Sequence, residues 1–184
     1  TALALRVSCR PLWVQGFHTW MLGLASQWMD QSVLHANSVA PILVSREQGR
    51  RKSTFCRSLM PDVLMRYYTD NLKLTSQGQA ERLLAEMGLL NMDEFDKYAE
   101  NKMPLLKNLM QMSALNIRKA YQQNFRQLPR VASFIGTSNR FDLLTDPTGS
   151  RRFLCVEVKH DIDCTHIEHD QIFAQLKAEL SAGR

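Results

Sequence analysis

An apolar run that ends in a cationic, glycine-bearing loop leaves a chain few ways to fold. Here Ile42-Leu43-Val44 runs into Ser45-Arg46-Glu47-Gln48-Gly49-Arg50-Arg51-Lys52-Ser53-Thr54, and a helical pattern takes over at Lys52. A short buried strand that feeds a helix in this way belongs to a layered α/β architecture. The loop brings together what a phosphate group needs: backbone N–H groups aimed at one point, a cation and a helix N-terminus. Two arginines, Arg46 and Arg51, stand where the pattern G-x-x-x-x-G-K-[ST] has glycine. A basic surface turn whose serine caps a helix is the competing reading.

The rest of the chain alternates strands and helices. Trp13, Phe17, Trp20, Leu24 and Trp28 recur at helical steps and predict one apolar face, for core packing or for docking a neighbouring domain. Pro41–Val44, Tyr67–Thr69, Leu89–Asp93, Val131–Thr137 and Arg152–Val158 read as strands. Lys52–Met60 (stopped before Pro61), Ser76–Met87, Met103–Met112 and a closing segment around Ile172–Leu180 read as helices. Residues 115–130 read as a hairpin. The expected fold class is α/β, with a central, mainly parallel five-stranded sheet flanked by helices. Residues 1–38 would form an N-terminal helical segment packing on or linking to a core of 39–184.

Composition sets outer bounds. The chain has 184 residues, enough for one domain with a sizeable core, and a net charge of +5 that mildly favours a polyanionic partner. Cys9, Cys56, Cys155 and Cys164 lack C-x-x-C spacing, which fits free thiols in a reducing compartment. No apolar run reaches membrane-span length, and Thr1–Leu5 does not make a convincing signal peptide, so the expected location is cytoplasmic and no membrane partner is expected. A start at Thr1 suggests a piece of a longer chain. Asp161, Asp163, Cys164, His166 and His169 match no standard zinc spacing and read as a polar connection.

The candidate site residues fall at strand ends. Gln48, Gly49, Arg50, Arg51, Lys52, Ser53 and Thr54 would cradle the phosphates of ATP. Gly49 permits close backbone approach, Lys52 reaches the β- and γ-phosphates, and Ser53 offers its hydroxyl to Mg2+. Asp93 and Glu94 end a strand, at the edge of an open α/β sheet where ligands sit. Asp93 would hold Mg2+ through a water, and Glu94 would orient and deprotonate the attacking water. Asn139 would sit between that water and the γ-phosphate. Arg151 and Arg152 would stabilise charge on the γ-phosphate. Arg118, Lys119, Arg126 and Arg130 would contact DNA phosphates. The competing readings are a solvated acidic turn at 93–100, an exposed start to the last strand at 151–152, and a solvated hairpin at 118–130.

Five segments in order carry a resemblance: Gln48-Gly49-Arg50-Arg51-Lys52-Ser53-Thr54-Phe55, Asn91-Met92-Asp93-Glu94-Phe95-Asp96, Ile117-Arg118-Lys119-Ala120-Tyr121, Phe134-Ile135-Gly136-Thr137-Ser138-Asn139, and Asp146-Pro147-Thr148-Gly149-Ser150-Arg151-Arg152-Phe153. From about Trp13 to Val158 the chain resembles the ATPase domain of the virulence-associated protein E family, related to the primase–helicases of phages and other mobile elements and to superfamily 3 helicases. The resemblance implies a P-loop NTPase fold of the AAA+/additional-strand type, with the catalytic glutamate beside the metal aspartate. It implies a site completed between subunits of a homo-oligomer, such as a ring, and a primase-like domain in the full-length chain. Single-stranded DNA is the expected partner. Two other functions compete with an ATP-driven helicase or translocase. One is a degenerate, non-hydrolysing module that binds nucleotide or DNA and serves assembly, which Arg46 and Arg51 favour. The other is a small-molecule kinase, which the acid pair and Asn139 fit poorly.

Overall fold

The computed structural model describes residues 10–29, 37–74, 77–98, 100–118, 125–141 and 150–183. Its strands are β1 (Ala40–Val44), β2 (Tyr68–Thr69), β3 (Leu89–Met92), β4 (Ala114–Arg118), β5 (Phe125–Pro129), β6 (Ser133–Ser138) and β7 (Phe153–Glu157). Its helices are α1 (Arg10–Trp28), α2 (Lys52–Ser58), α3 (Gln77–Glu86), α4 (Met103–Leu109) and α5 (His169–Ser181). Five strands form one sheet in the order β2-β3-β6-β1-β7, and every pairing in it is parallel. The late strand β6 therefore lies between β1 and β3, in register Ile42 with Gly136 and Met92 with Gly136. A side chain at Gly136 would meet Met92 O at 3.0 Å and Ile42 Cδ1 at 2.8 Å, so only glycine lets the layer close there.

Helices cover both faces, which is why all five residues of β1 are buried. Strand parity divides them. Leu43 joins one core with Trp13, Phe17, Trp20, Phe55 and Leu176. Ala40, Ile42 and Val44 join the other with Leu84, Leu106, Leu109 and Phe134. The aromatic steps of α1 make the first core: Trp13, Phe17, Trp20 and Leu24 are all buried, and Phe17 meets Phe55 of α2 at 6.0 Å. Trp28, half-buried, stacks on Phe173 of α5 with ring centroids 5.3 Å apart. Among the described residues, no helix is long and apolar enough to cross a membrane.

The hairpin expected at 115–130 is the antiparallel pair β4–β5, a separate two-stranded sheet. Arg126 is exposed on β5. Arg118 closes β4, and Lys119 lies outside the described residues. Arg130 corrects the sequence reading. It is 1% exposed and cannot meet a DNA phosphate. Its Nη1 donates to Leu109 O (3.0 Å) and Met110 O (2.7 Å), and its Nη2 donates to Asn37 O (2.6 Å) and Gln27 Oε1 (3.4 Å). Gln27 in turn donates to Arg130 O and Ala132 O. The guanidinium thus takes up carbonyls at the C-terminal end of α4, which ends at Leu109 rather than at the expected Met112. Burial pushes the Arg130 pKa down to about 10.

Candidate functional site

The loop of residues 45–51 leaves the C-terminal end of β1, and Ser45 N still donates to Ser138 O, extending the ladder by one residue. Two residues turn the loop through left-handed backbone: Gly49 at φ 80° and Arg51 at φ 58°. Glycine adopts that region freely, whereas a residue with a Cβ pays roughly 1–2 kcal/mol. Arg51, at the second glycine position of the pattern, thus keeps a glycine-like conformation. Arg50 is held from outside. Its guanidinium binds Glu47 and donates to Asp161 Oδ1 at 2.8 Å, while Ile162 N donates to Arg50 O at 3.4 Å. The polar connection 159–168 therefore braces the loop. Within it, Asp163 accepts from Thr165 N and Oγ1, and just after it, at the start of α5, His169 Nε2 pairs with Ser58 O at 2.8 Å.

Gln48, Gly49, Arg50, Arg51, Lys52, Ser53 and Thr54 line an open cleft of about 380 Å³ together with Asp93, Glu94, Thr137 and Asn139. Lys52 is 8% exposed. Its ammonium donates to Asn139 Oδ1 at 3.0 Å and to the carbonyls of Ser45 and Glu47 at 3.4 Å. Burial lowers the Lys52 pKa, and the nearby carboxylates of Asp93 and Asp96 oppose that shift. Ser53 Oγ donates to Asp93 Oδ1 at 2.6 Å. A hydroxyl and a carboxylate in contact, beside a buried ammonium, are the donor set that Mg2+ and a polyphosphate require. The residues present fit that pair of ligands.

Glu94 follows at φ 50°, a second left-handed non-glycine residue. Its side chain is 46% exposed and accepts from Lys97 Nζ at 2.5 Å. Two residues that sequence reasoning passed over complete the picture. Thr137 Oγ1 donates to Asp93 Oδ1 at 2.6 Å and accepts from Glu94 N at 3.1 Å. Asp96 Oδ1 accepts from Ser138 Oγ at 2.6 Å and from Asn139 N at 3.2 Å. Burial raises the Asp96 carboxyl, but those two bonds, with its own backbone N–H and the charge of Arg140, outweigh it and hold the pKa below the usual range. The available signal for Thr137 was its place near the C-terminal end of β6, two residues before Asn139.

Arg151 and Arg152 stand apart. They form a turn just before Phe153, which pairs with Ala40 at the start of β1, whereas the cleft lies beyond Val44. Five strand residues at about 3.3 Å each put roughly 15 Å between that edge and the cleft. The fold does not bring either arginine to the cleft of its own chain.

The strain at Arg51 is testable. Should the cleft hydrolyse ATP, Arg51→Gly would relax the loop and raise turnover a few-fold, as relief of about 1–2 kcal/mol permits. Turnover and ATP affinity at two salt concentrations check it. A fall in both would show instead that Arg51 serves as a second phosphate cation.

Comparison with known proteins bears on the fold and the family. Among curated proteins, none matches the chain. Solved structures of the NrS-1 C-terminal region are similar in fold. The apo structure of that region shares 17% identity with a TM-score of 0.56, over 93% of this chain and 42% of that one. Its A form in the apo state gives 16% and 0.55, over 90% and 37%. A further A-form apo structure gives 17% and 0.51, over 89% and 43%. The chain thus spans less than half the length of each. The model of the virulence-associated protein E-like domain matches residues 4–184, and the chain belongs to that family.

Proposed function

We propose that the domain is an ATP-binding and ATP-hydrolysing module of a mobile-element or phage DNA replication protein, acting as a helicase or translocase on single-stranded DNA. The observation that carries this reading is the convergence of Lys52, Ser53, Asp93 and Asn139 at the C-terminal edge of the sheet, with Lys52 bonded to Asn139 at 3.0 Å and Ser53 to Asp93 at 2.6 Å. The placement of β6 between β1 and β3 supports a P-loop NTPase fold of the additional-strand type. Family membership supports the replication context.

In this reading the loop amides and Lys52 bind the β- and γ-phosphates, and Ser53 and Asp93 hold Mg2+, which supplies charge neutralisation at those oxygens. Glu94 accepts the proton of the attacking water, and Asn139 orients that water. Arg151 or Arg152 acts from a neighbouring copy, consistent with its distance from its own cleft; a homo-oligomer, such as a ring, follows. Arg118, Lys119 and Arg126 of the hairpin contact DNA, without Arg130. A primase-like domain would lie elsewhere in the full-length protein, and the cytoplasm is the proposed location. The second reading, a non-hydrolysing nucleotide- or DNA-binding module, draws on one observation: the Glu94 carboxylate is engaged by Lys97.

Lys52→Ala tests the nucleotide site. It should weaken binding of a fluorescent Mg-ATP analogue by at least about 10-fold, the loss expected for one charge-assisted contact, with an unchanged circular dichroism spectrum. Equal affinity in both proteins sinks the loop assignment. Wild-type ATP turnover with and without single-stranded DNA separates the two readings: stimulation supports the motor, and binding without turnover supports the inert module.

A further inference from the structure

We infer that Thr137 is a positioning residue for the acidic pair. The inference rests on the ATPase reading above. One hydroxyl is used twice: it donates to the Asp93 carboxylate at 2.6 Å and accepts the backbone N–H of Glu94 at 3.1 Å. Its residue is 3% exposed and sits in β6, whose neighbours β1 and β3 fix it from both sides. A Thr hydroxyl has one proton and two lone pairs, so both bonds are made together without competition.

The geometry explains why this matters. Asp93 Oδ1 also receives Ser53 Oγ at 2.6 Å. Ser53 would meet a metal ion through a lone pair, and as an exposed residue in the first turn of α2 it holds the carboxylate less firmly than a buried strand hydroxyl does. Thr137 thus keeps Asp93 aimed. Glu94 carries the companion problem. Its backbone is left-handed at φ 50°, and among the described residues its side chain is held by Lys97, three residues on in the same turn. The bond from Glu94 N to Thr137 is the described hydrogen bond that ties this strained residue back to the sheet. Asn139 follows directly on the last residue of the same strand, Ser138, so one strand end sets the carboxylates and the amide relative to one another. Bonds of this kind, one step behind the ligating atoms, typically govern 10–100-fold in metal affinity or activity.

The test compares Thr137→Val, which keeps the shape and removes the hydroxyl, with Thr137→Ser, which keeps the hydroxyl. Thr137→Val should lose about 10–100-fold in ATP turnover and require several-fold more Mg2+ for half-maximal rate, with KM for ATP within about two-fold. Thr137→Ser should recover most of both. A merely structural hydroxyl would lower the thermal midpoint without moving the Mg2+ requirement. Equal turnover and equal Mg2+ dependence in Thr137→Val and Thr137→Ser overturn the inference; Thr137→Ala provides the same comparison if the valine variant fails to fold. The two ideas fail differently. A wild-type protein that binds no Mg-ATP removes both. A wild type silenced by Glu94→Gln yet indifferent to Thr137→Val removes this inference alone.

Discussion

Replacing Glu94 by glutamine is expected to leave Mg-ATP binding intact and to cut turnover by about 10²–10⁴-fold, the range that a general base contributes. The residue lies immediately beyond β3, and its carboxylate is 46% exposed, open to water beside the cleft. An amide of the same shape cannot accept the proton that leaves the attacking water. The loop contacts do not involve this side chain, so affinity should stay within about two-fold. The present partner, Lys97, must release the carboxylate for it to act; an exposed pair of this kind is worth at most about 1 kcal/mol and presents no large barrier. Steady-state turnover together with a nucleotide titration decides the matter. A variant that turns over at the wild-type rate would make Glu94 surface charge.

The second large effect concerns stability. Arg130→Ala should destabilise the fold by about 3–5 kcal/mol, because it opens a cavity and strands the buried acceptors of Leu109 and Met110 and the half-buried carbonyl of Asn37. Release of a buried charge offsets part of that cost and is included in the figure. For a domain of this size the thermal midpoint would fall by on the order of 10 °C. Arg130→Lys should fall nearly as far, since one ammonium cannot span acceptors that a planar fork reaches. Urea or thermal denaturation gives the answer. A change under about 1 kcal/mol, with a loss confined to DNA affinity, would return Arg130 to the hairpin's basic set.

Glu94 and Arg130 fall on opposite sides of what local sequence announces. The strands and helices were legible because apolar periodicity reports burial directly: Ile42-Leu43-Val44 has to be covered on both faces, and the Trp13–Trp28 stripe has to face a core. The cleft membership of residues 48–54, 93, 94 and 139 was legible because each follows an apolar strand, and parallel strands deliver their C-terminal ends to one edge. Arg130 was not legible. Its acceptors come from α1, from 37, and from the end of α4, distant in sequence, and nothing near residue 130 announces them. Thr137 and Asp96 were missed for a similar reason: a hydroxyl or a carboxylate gains its partner only when β6 slides in beside β3. Arg151 and Arg152 read as a pair near a phosphate site, yet the parallel register sets them at the far edge.

The position of β1 in the sheet also bears on how the chain is made. The strand that launches the loop appears early, but its hydrogen-bonding neighbours, β6 and β7, are synthesised only after most of the domain has left the ribosome. Pairings so distant along the chain are slow to form, and an apolar strand waiting for them is open to wrong partners. A nascent chain or truncated fragment ending before β6 would carry every residue of the loop and no sheet on which to hang it. The cleft is therefore a feature that the growing polypeptide acquires late and all at once.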